Sequence, residues 1–497
     1  MDLYTRRVLD RSFTGLGVFS LVLMGCALAV LIIPILTKGI SAFVFKETVE
    51  RKEFFLEEYG RGNRAAVEKE LALAEQAREP VYRMMAEYER PFWSFLEEAV
   101  EAGKSNAELE RKIVRREHCV ERLVSMYNTE VGWSAPALKT RLDKLKARHN
   151  IKDYCEIKKL VRDLLGPLPD DNVEADLPLL RQKYGQRRWN LAQEHLDSLL
   201  YRTEYVFEKP GAMGTPVKVP RSRDFQGTAI EPMFDYCKAN AGEMLLPRRT
   251  FYWRFLFDEQ RDSYMFGGIW GSFLGTIYLT LGAMLFAAPV GVISAIYLTQ
   301  YASQGRFISL LRSCISTLAG VPSVVFGLFG LAFFINTLKV SEGKSVLVGC
   351  LVLAMLVLPT VIRASEEAIL AVPKAYREAS LGLGATKWHT IVKVVLPASL
   401  PGIITSIIIS MGRAAGETAP ILFTAAVAVG EPILPWEIVT RASPAMPANI
   451  YSIVSEHEAV EEIAHVQYGM VLALVGLVLL LNVTAIILRA RISRRLR

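Results

Sequence analysis

Six apolar runs, each long enough to cross a bilayer, constrain this chain more than any other feature. Crossing ~30 Å of hydrocarbon takes ~20 residues of helix, and such runs lie at about 14–36, 269–299, 308–338, 345–363, 402–429 and 469–489. At 497 residues, 51% hydrophobic and mean hydropathy +0.25, the chain is too apolar for an ordinary soluble protein. Its 22% of charged residues is too many for one that is all membrane. Two regimes are expected: an all-α membrane protein of six transmembrane helices, and a large charged insert between helices 1 and 2. The first run reads as a retained anchor or as a signal peptide. Phe13–Leu36 exceeds an ordinary h-region and no A-x-A-like site precedes Thr37-Lys38, which favours the anchor.

Orientation follows from Lys and Arg near the ends of the runs. Arg6, Arg7 and Arg11 place the N-terminus in the cytoplasm, and six crossings return the basic run Arg489–Arg497 to the same side. Arg306 and Arg312 flank the connection after the second run, and Lys374, Arg377, Lys387 and Lys393 mark a loop before the fifth, both expected inside. The net charge of +7 is then mostly this bias and implies no nucleic acid. The expected division is 1–37 for the tail and first helix, 38–266 for an external insert, and 267–497 for a membrane core with a cytoplasmic loop at 374–397.

The insert is rich in Glu, Lys, Arg, Ala and Leu, which favour helix. Helical stretches are expected over Glu47–Glu130, with Val67, Leu71 and Ala74 on one apolar face, over about Pro136–Leu165, and over about Leu177–Glu208. Pro80 and Pro91 should each end or kink a helix. Gly211, Gly214, Pro216 and Pro220 mark an irregular or strand-like stretch. The run Phe251-Tyr252-Trp253-Arg254-Phe255 fits the membrane interface, or else an edge of the insert core. Of six cysteines, Cys26, Cys314 and Cys350 fall in apolar runs. Cys119, Cys155 and Cys237 fall in the insert, where at most one internal pair can form, and spacing does not choose it.

No metal-ligand spacing is present. Gly343-Lys344-Ser345 resembles the end of a phosphate-binding loop, but Leu338 stands where the first glycine is needed. Gly382-Leu383-Gly384 lacks the third glycine of a dinucleotide fingerprint and the preceding strand. The chain is read as no enzyme, with no catalytic residue, bound cofactor or metal.

Two constellations carry chemistry. In the first, Glu378-Ala379-Ser380-Leu381-Gly382-Leu383-Gly384 is followed by Val394-Val395-Leu396-Pro397. Ala375, Ala379 and Ser380 keep one helix surface low enough for a partner's groove. Gly384 supplies a turn that a side chain would strain. Glu378 is poised to pair with a basic residue, and Pro397 is expected to stop the second helix before the next crossing. In the second, Arg413 lies ~16 Å along a helix from Gly402, near the bilayer centre. Glu417 is four residues on and can offset the cost of that buried charge. The pair reads as the lining of an anion path, with Thr418 beside it, or as an architectural tie. Gly320–Gly327 loosens the third crossing and offers Ser323 to a polar path, or it is a kinked packing helix. Arg363, Glu366 and Glu367 close the fourth crossing as a salt-bridged gate or as a solvated helix end.

The loop is similar to the EAA-x3-G-x9-I-x-L-P docking loop of bacterial ATP-driven importer permeases, with Ser380 for the second alanine and Val394 for the isoleucine. Together with Gly320–Gly327, Arg363–Glu367 and Arg413–Phe423, it resembles the permease of the phosphate-specific ABC importer. Gly416-Glu417-Thr418-Ala419-Pro420 points to the PstA-type subunit. The resemblance covers segment one loosely and residues 265–497 well. It implies the type I (MetI-like) importer fold, a PstC-type permease partner, two PstB-type ATPase subunits that use ATP-Mg, and an external PstS-type phosphate-binding protein. It also implies a phosphate-signalling regulator, residence in the bacterial inner membrane among its lipids, and alternating access. A permease for sulfate or molybdate, a signalling scaffold without transport, and a structural anchor are the rival readings. The insert of roughly 200 residues departs from the family pattern, and its role, docking surface or spacer, stays open.

Overall fold

The computed structural model describes residues 3–101, 107–114, 116, 119–130, 136–169, 183–206, 214–261, 263–303, 305–456, 460 and 462–495. They form two compact units, Val44–Phe251 and a second made of Met1–Phe43 with Tyr252–Arg497. Residues Tyr252–Phe266, expected by composition to belong with the insert, cluster with the apolar unit.

The apolar unit is built from α1 (Leu3–Ile40), α2 (Trp270–Ile296), α3 (Arg306–Ala319), α4 (Ser323–Gly330), α5 (Val346–Leu370), α6 (Lys374–Gly382), α7 (Leu396–Gly416), α8 (Ala419–Thr424), α9 (Met446–Ser455) and α10 (Ala464–Arg495). Among the described residues, five helical stretches are long and apolar enough to cross a membrane: Phe13–Ile40, Trp270–Tyr301, Val346–Leu370, Lys387–Gly416 and Ala464–Ile492. A sixth arises only if α3 and Ser323–Thr337, bent by 98°, are counted as one span. The break falls at Gly320-Val321-Pro322. Proline has no N–H to donate and pushes the residue before it out of the helical region. The span α5 is the hub, with 67% of its apolar window buried, against 0% for α1 and 11% for α10. The two outer helices present aliphatic side chains outward, as lipid-facing helices do.

The fourth and fifth spans have bounds that differ from the hydropathy reading. The fourth run continues to Leu370, so Arg363, Glu366 and Glu367 lie inside α5 and not at its close. Its amphipathic last turns dilute the hydropathy without ending the helix. The fifth run starts earlier and stops earlier. Helix begins at Lys387–Thr390, passes a π-helical turn at Ile391–Val395 and continues as α7 to Gly416. Pro397 therefore does not stop a helix; it lies directly after the π-helical turn, inside the continuous helical stretch Lys387–Gly416. Arg413 is in the last turn of α7, away from the middle of its helix, and Glu417 has left the helix with extended backbone (φ −72, ψ 127).

The unit Val44–Phe251 is mainly helical. Its helices are Val49–Tyr59, Arg64–Glu101, Ala107–Val114, Val120–Glu130, Pro136–Arg148, Ile151–Leu165, Trp189–Leu200 and Glu231–Leu245. The helix Arg64–Glu101 runs through both Pro80 and Pro91, so neither proline ends it. Burial of Val67, Ala74, Val81, Met85, Phe92, Phe95 and Leu96 along one face outweighs the lost backbone hydrogen bonds. The stretch Pro136–Leu165 is two helices, and the second starts where Asn150 Oδ1 accepts from Asp153 N (3.4 Å). Tyr201–Val206, expected as helix, is a strand paired antiparallel with Thr215–Pro220, because its Thr, Tyr and Val suit a pleated surface. Residues 177–182 and Gly211, which the sequence reading also used, lie outside the described residues. A second strand pair, Val44–Glu47 with Arg248–Phe251, closes the unit's two ends together.

Two hydrophobic clusters fill this unit. One joins Val81, Met85 and Tyr88 to Tyr154, Ile157, Val161, Met233 and Phe234; the other joins Phe92, Phe95 and Leu96 to Leu109, Leu123, Tyr127 and Leu142. Cys119 and Cys155 form the disulfide, and Cys237 is free and buried. Arg78, 4% exposed, pairs with Glu50, 3% exposed, and donates through Nε to Met244 O (2.9 Å) and through Nη1 to Leu165 O (3.2 Å). Within the aromatic run, Trp253 is exposed while Tyr252 and Phe255 are buried. Phe255 packs edge-on against Phe43 at 5.2 Å, so the run serves as both surface and core.

Candidate functional site

Three groups of residues singled out in the sequence lie on α4 to α8. Arg413 Nε is 3.3 Å from Glu417 Oε1, and the two side chains are 41% and 18% exposed. The pair forms although Glu417 has left the helix. Thr418 follows and leads into α8. There α4 comes very close: a Cβ on Gly327 would lie 2.9 Å from Pro420 Cα and 2.9 Å from Phe423 Cδ2. Only glycine permits that approach, so α4, with Ser323 at its start, lies against α8. The Ser323 side chain is half-buried, as is that of Thr418.

Arg363 and Glu366 do not pair with each other. The ion pair of Glu366 is with Arg312 Nη2 at 3.5 Å. Arg363 Nη2 donates to Arg312 O at 3.4 Å. Arg312, counted in the sequence as a flank of the connection after the second run, lies inside α3. It also donates to Leu298 O at 3.1 Å and thereby ties α3 to the end of the second span. Glu367 is exposed. A detectable signal existed for Arg312, since Ser309 and Ser316 share its helix face at three- and four-residue spacing.

The loop at 374–397 forms α6, a turn at Gly384 with φ +84, and the short helix Lys387–Thr390. Among its residues Tyr376, Leu381, Leu383 and Trp388 are exposed, Leu383 by 89%. Ala375, Glu378 and Ala379 are exposed and Ser380 is half-buried. Ser380 Oγ meets Thr390 Oγ1 at 2.9 Å, locking the two short helices together. Arg377 Nη2 donates to Ile369 O at 2.6 Å, fastening the loop to the last turn of α5. Leu396 and Pro397 are half-buried at the start of α7. The roles of Arg377 and Arg312 were invisible to a reading that counted both only as positive charge.

The failed phosphate-loop motif has a structural explanation. Lys344 Nζ donates to Leu422 O (2.7 Å) near the end of α8, and Ser345 caps α5 by accepting from Val348 N (3.3 Å). Beyond α8, Asn449 Nδ2, fully buried, donates to Ser272 Oγ at 2.7 Å and to Tyr264. Burial pushes the Tyr264 hydroxyl pKa upward, so this group stays protonated. No group of His, Cys, Asp and Glu able to hold a metal occurs among the described residues.

Residues 287–497 match the family described as binding-protein-dependent transport system inner membrane component. The phosphate transport system permease protein PstA 1 of Mycobacterium tuberculosis is 35% identical over 234 residues, which cover 46% of this chain and 72% of that protein. The chain belongs to the PstA-type permease family. Other relatives include the PstA of Mycobacterium leprae, 40% identical over 156 residues, covering 31% of this chain and 50% of that one. A probable ABC transporter permease protein of Bacillus subtilis, YqgI, is 39% identical over 159 residues, covering 32% of this chain and 53% of that protein. The chain thus spans about half the length of some of the curated relatives it matches. Among solved structures, a chain of the inward-facing MetNI methionine ABC transporter is 18% identical with a TM-score of 0.34, covering 45% of this chain and 94% of that one. As a PstA-type permease the chain is a multi-span membrane component. Arg363, Glu366, the docking-type loop and Arg413–Glu417 all fall inside the matched residues, and the unit Val44–Phe251 falls outside them.

Proposed function

We propose that this chain is a permease subunit of an ATP-driven importer that carries inorganic phosphate across the bacterial cytoplasmic membrane. The reading rests on two observations taken together. An arginine–glutamate pair is held at a helix break inside a membrane-spanning unit, and a relative matched over 234 residues is a phosphate transport permease. Charged side chains inside spans are costly unless they face an interior or an aqueous path. Phosphate carries one to two charges near neutral pH, so hydroxyl and backbone donors share the work with Arg413.

In this mechanism a phosphate-loaded external binding protein of PstS type docks on the outer face. Two PstB-type ATPase subunits bind and hydrolyse ATP-Mg, and this chain hydrolyses none and binds no cofactor. A PstC-type permease completes the membrane pore, and a phosphate-signalling regulator reads its state. The loop at 374–397 receives the ATPase motion through its exposed Leu383 and Trp388, and Glu378 pairs with a basic residue there. Arg377, bonded to the end of α5, passes the motion to the helix that carries Arg363 and Glu366. Alternating access then exposes the path near Arg413, Glu417, Thr418 and Ser323 to one side at a time. Both termini are cytoplasmic, and the unit Val44–Phe251 is external, where a disulfide persists.

The test is uptake by the complex purified from native membranes and reconstituted in vesicles. ATP-dependent accumulation of phosphate, with the four subunit types co-purifying, is expected. Accumulation of sulfate or molybdate in its place would identify the wrong oxyanion, and a complex that moves none of them would contradict the transport reading.

A further inference from the structure

A half-open cavity of about 230 Å³ lies between α3 and α5, lined by Ile308, Ser309, Arg312, Ser313, Ser316 and Arg363, of which the three serines and Arg363 are exposed. Its lining is cationic and hydroxylic; α5 is long and apolar enough to cross a membrane, and α3 is so only together with Ser323–Thr337. Two arginines and three serines are not a surface that hydrocarbon tolerates, so this face lines an aqueous path or meets another protein. The Arg312 Nε–H is buried and has no hydrogen-bond acceptor among the described residues. The hydroxyls of Ser309 and Ser313 also bond to nothing there, whereas Ser316 Oγ donates to Arg312 O (2.8 Å). Glu366 approaches Arg312 at 3.5 Å but makes no hydrogen bond through that oxygen. Among the described residues Arg312 thus meets one carboxylate and Arg363 none, leaving positive charge and unused donors around the same space.

We propose that Arg312, Arg363, Ser309 and Ser313 form a second oxyanion site, separate from Arg413, where the transported anion rests before release to the cytoplasm. The site deepens the phosphate-permease reading and rests on it. Guanidinium forks and hydroxyls are the donors that recognise a tetrahedral oxyanion. At ~30 Å³ per water the cavity holds several waters, so the anion keeps part of its hydration. Glu366 is a positioning residue: it holds Arg312 while the site is empty and competes with the anion for it, so the anion is bound weakly enough to leave. Arg312 enters the cavity two turns from the start of α3, and Arg363 two turns from the end of α5. By the charge-based topology these ends are cytoplasmic.

The experiment uses the whole complex. Ser313→Cys is introduced with the exposed cysteines removed as Cys26→Ser and Cys314→Ser, and its reaction with an anionic thiol reagent is timed. Inorganic phosphate should slow the reaction about fivefold or more relative to chloride of equal ionic strength, and adding Arg312→Gln should abolish that protection. Protection by sulfate and not by phosphate would keep the site and overturn phosphate as the substrate. No protection by either anion, with phosphate uptake intact, would overturn the site and leave the transport reading standing. Transport kinetics give an independent readout. Arg312→Gln should raise KM for phosphate about tenfold at wild-type abundance, with Arg312→Lys recovering part of it. The double variant Ser309→Ala, Ser313→Ala should raise it less. An unchanged KM in both Arg312→Gln and the serine double variant would reject the proposal.

Discussion

Arg413 Nε lies 3.3 Å from Glu417 Oε1 although α7, which carries the arginine, ends at Gly416 between them. The pair is therefore not a regular i, i+4 bridge along one helix. It clamps the turn that leads from α7 into α8, and a change in that turn would move the charge.

Removing the charge should stop transport while the complex still assembles. Arg413→Ala is expected to lower phosphate uptake by about a hundredfold, and Glu417→Gln by less, since a charge-assisted contact is worth ~1.5–3 kcal/mol. A purely architectural pair behaves differently, because replacing both partners by neutral residues relieves both uncompensated charges. Normal uptake by the double neutral variant, at normal abundance, would show the pair to be architectural.

Gly384 has φ +84, and nothing lies within 4 Å of where its Cβ would be. The cost of a side chain there is backbone strain alone, ~1–2 kcal/mol for a residue with a Cβ and more for a β-branched one. Gly384→Val should thus loosen the turn between α6 and Lys387–Thr390, releasing ATPase subunits from membranes or uncoupling hydrolysis from uptake. Gly384→Asn should be milder. Wild-type retention and uptake in the valine variant would contradict the docking role.

Glu50 and Arg78 form an ion pair buried away from solvent. Burial works against the Arg78 charge, but the neighbouring Tyr184 and Glu50 outweigh it and hold the guanidinium firmly protonated. Glu50→Gln leaves that charge uncompensated and should destabilise residues 44–251 by ~3–5 kcal/mol in denaturant unfolding. Expressed alone, this segment should give a mainly helical circular dichroism spectrum. A change under about 1 kcal/mol would mean the pair contributes little.

The Cys119–Cys155 bond closes a 36-residue separation, and its loss should cost the segment about 3–4 kcal/mol. Because Cys237 is buried, none of the insert cysteines suits surface labelling, and Glu243→Cys, at an exposed position, serves instead. An impermeant thiol reagent applied outside intact cells should modify Glu243→Cys. Modification only after the inner membrane is broken would reverse the topology, and with it the side on which the loop at 374–397 lies.

Burial, with Arg187 close by, pushes the His195 imidazole down from 6.5 to about 4. The unfolded chain binds a proton between those values that the folded one does not. Stability of residues 44–251 should therefore be full above pH 6.5 and fall as the pH drops toward 4. His195→Gln should flatten this slope in urea titrations, and an unaltered slope would assign it to other groups.

Length, charge and hydropathy determined much on their own. The apolar spans, the helical insert, the turn at Gly384 and the family were legible because each depends on local composition or on a short motif with a fixed spacing. Even the 320–322 break could be located, since Gly and Pro act on their own backbone. Tertiary structure alone decided how far each span runs and which charges meet. Amphipathic turns continue α5 past the apolar run, and packing of a buried face carries a helix through Pro80 and Pro91. Cys119 found Cys155, and Glu366 found Arg312 in place of its near neighbour Arg363, because partners of that kind are chosen by distance in space. Residues 54 positions apart become neighbours only when α3 and α5 pack.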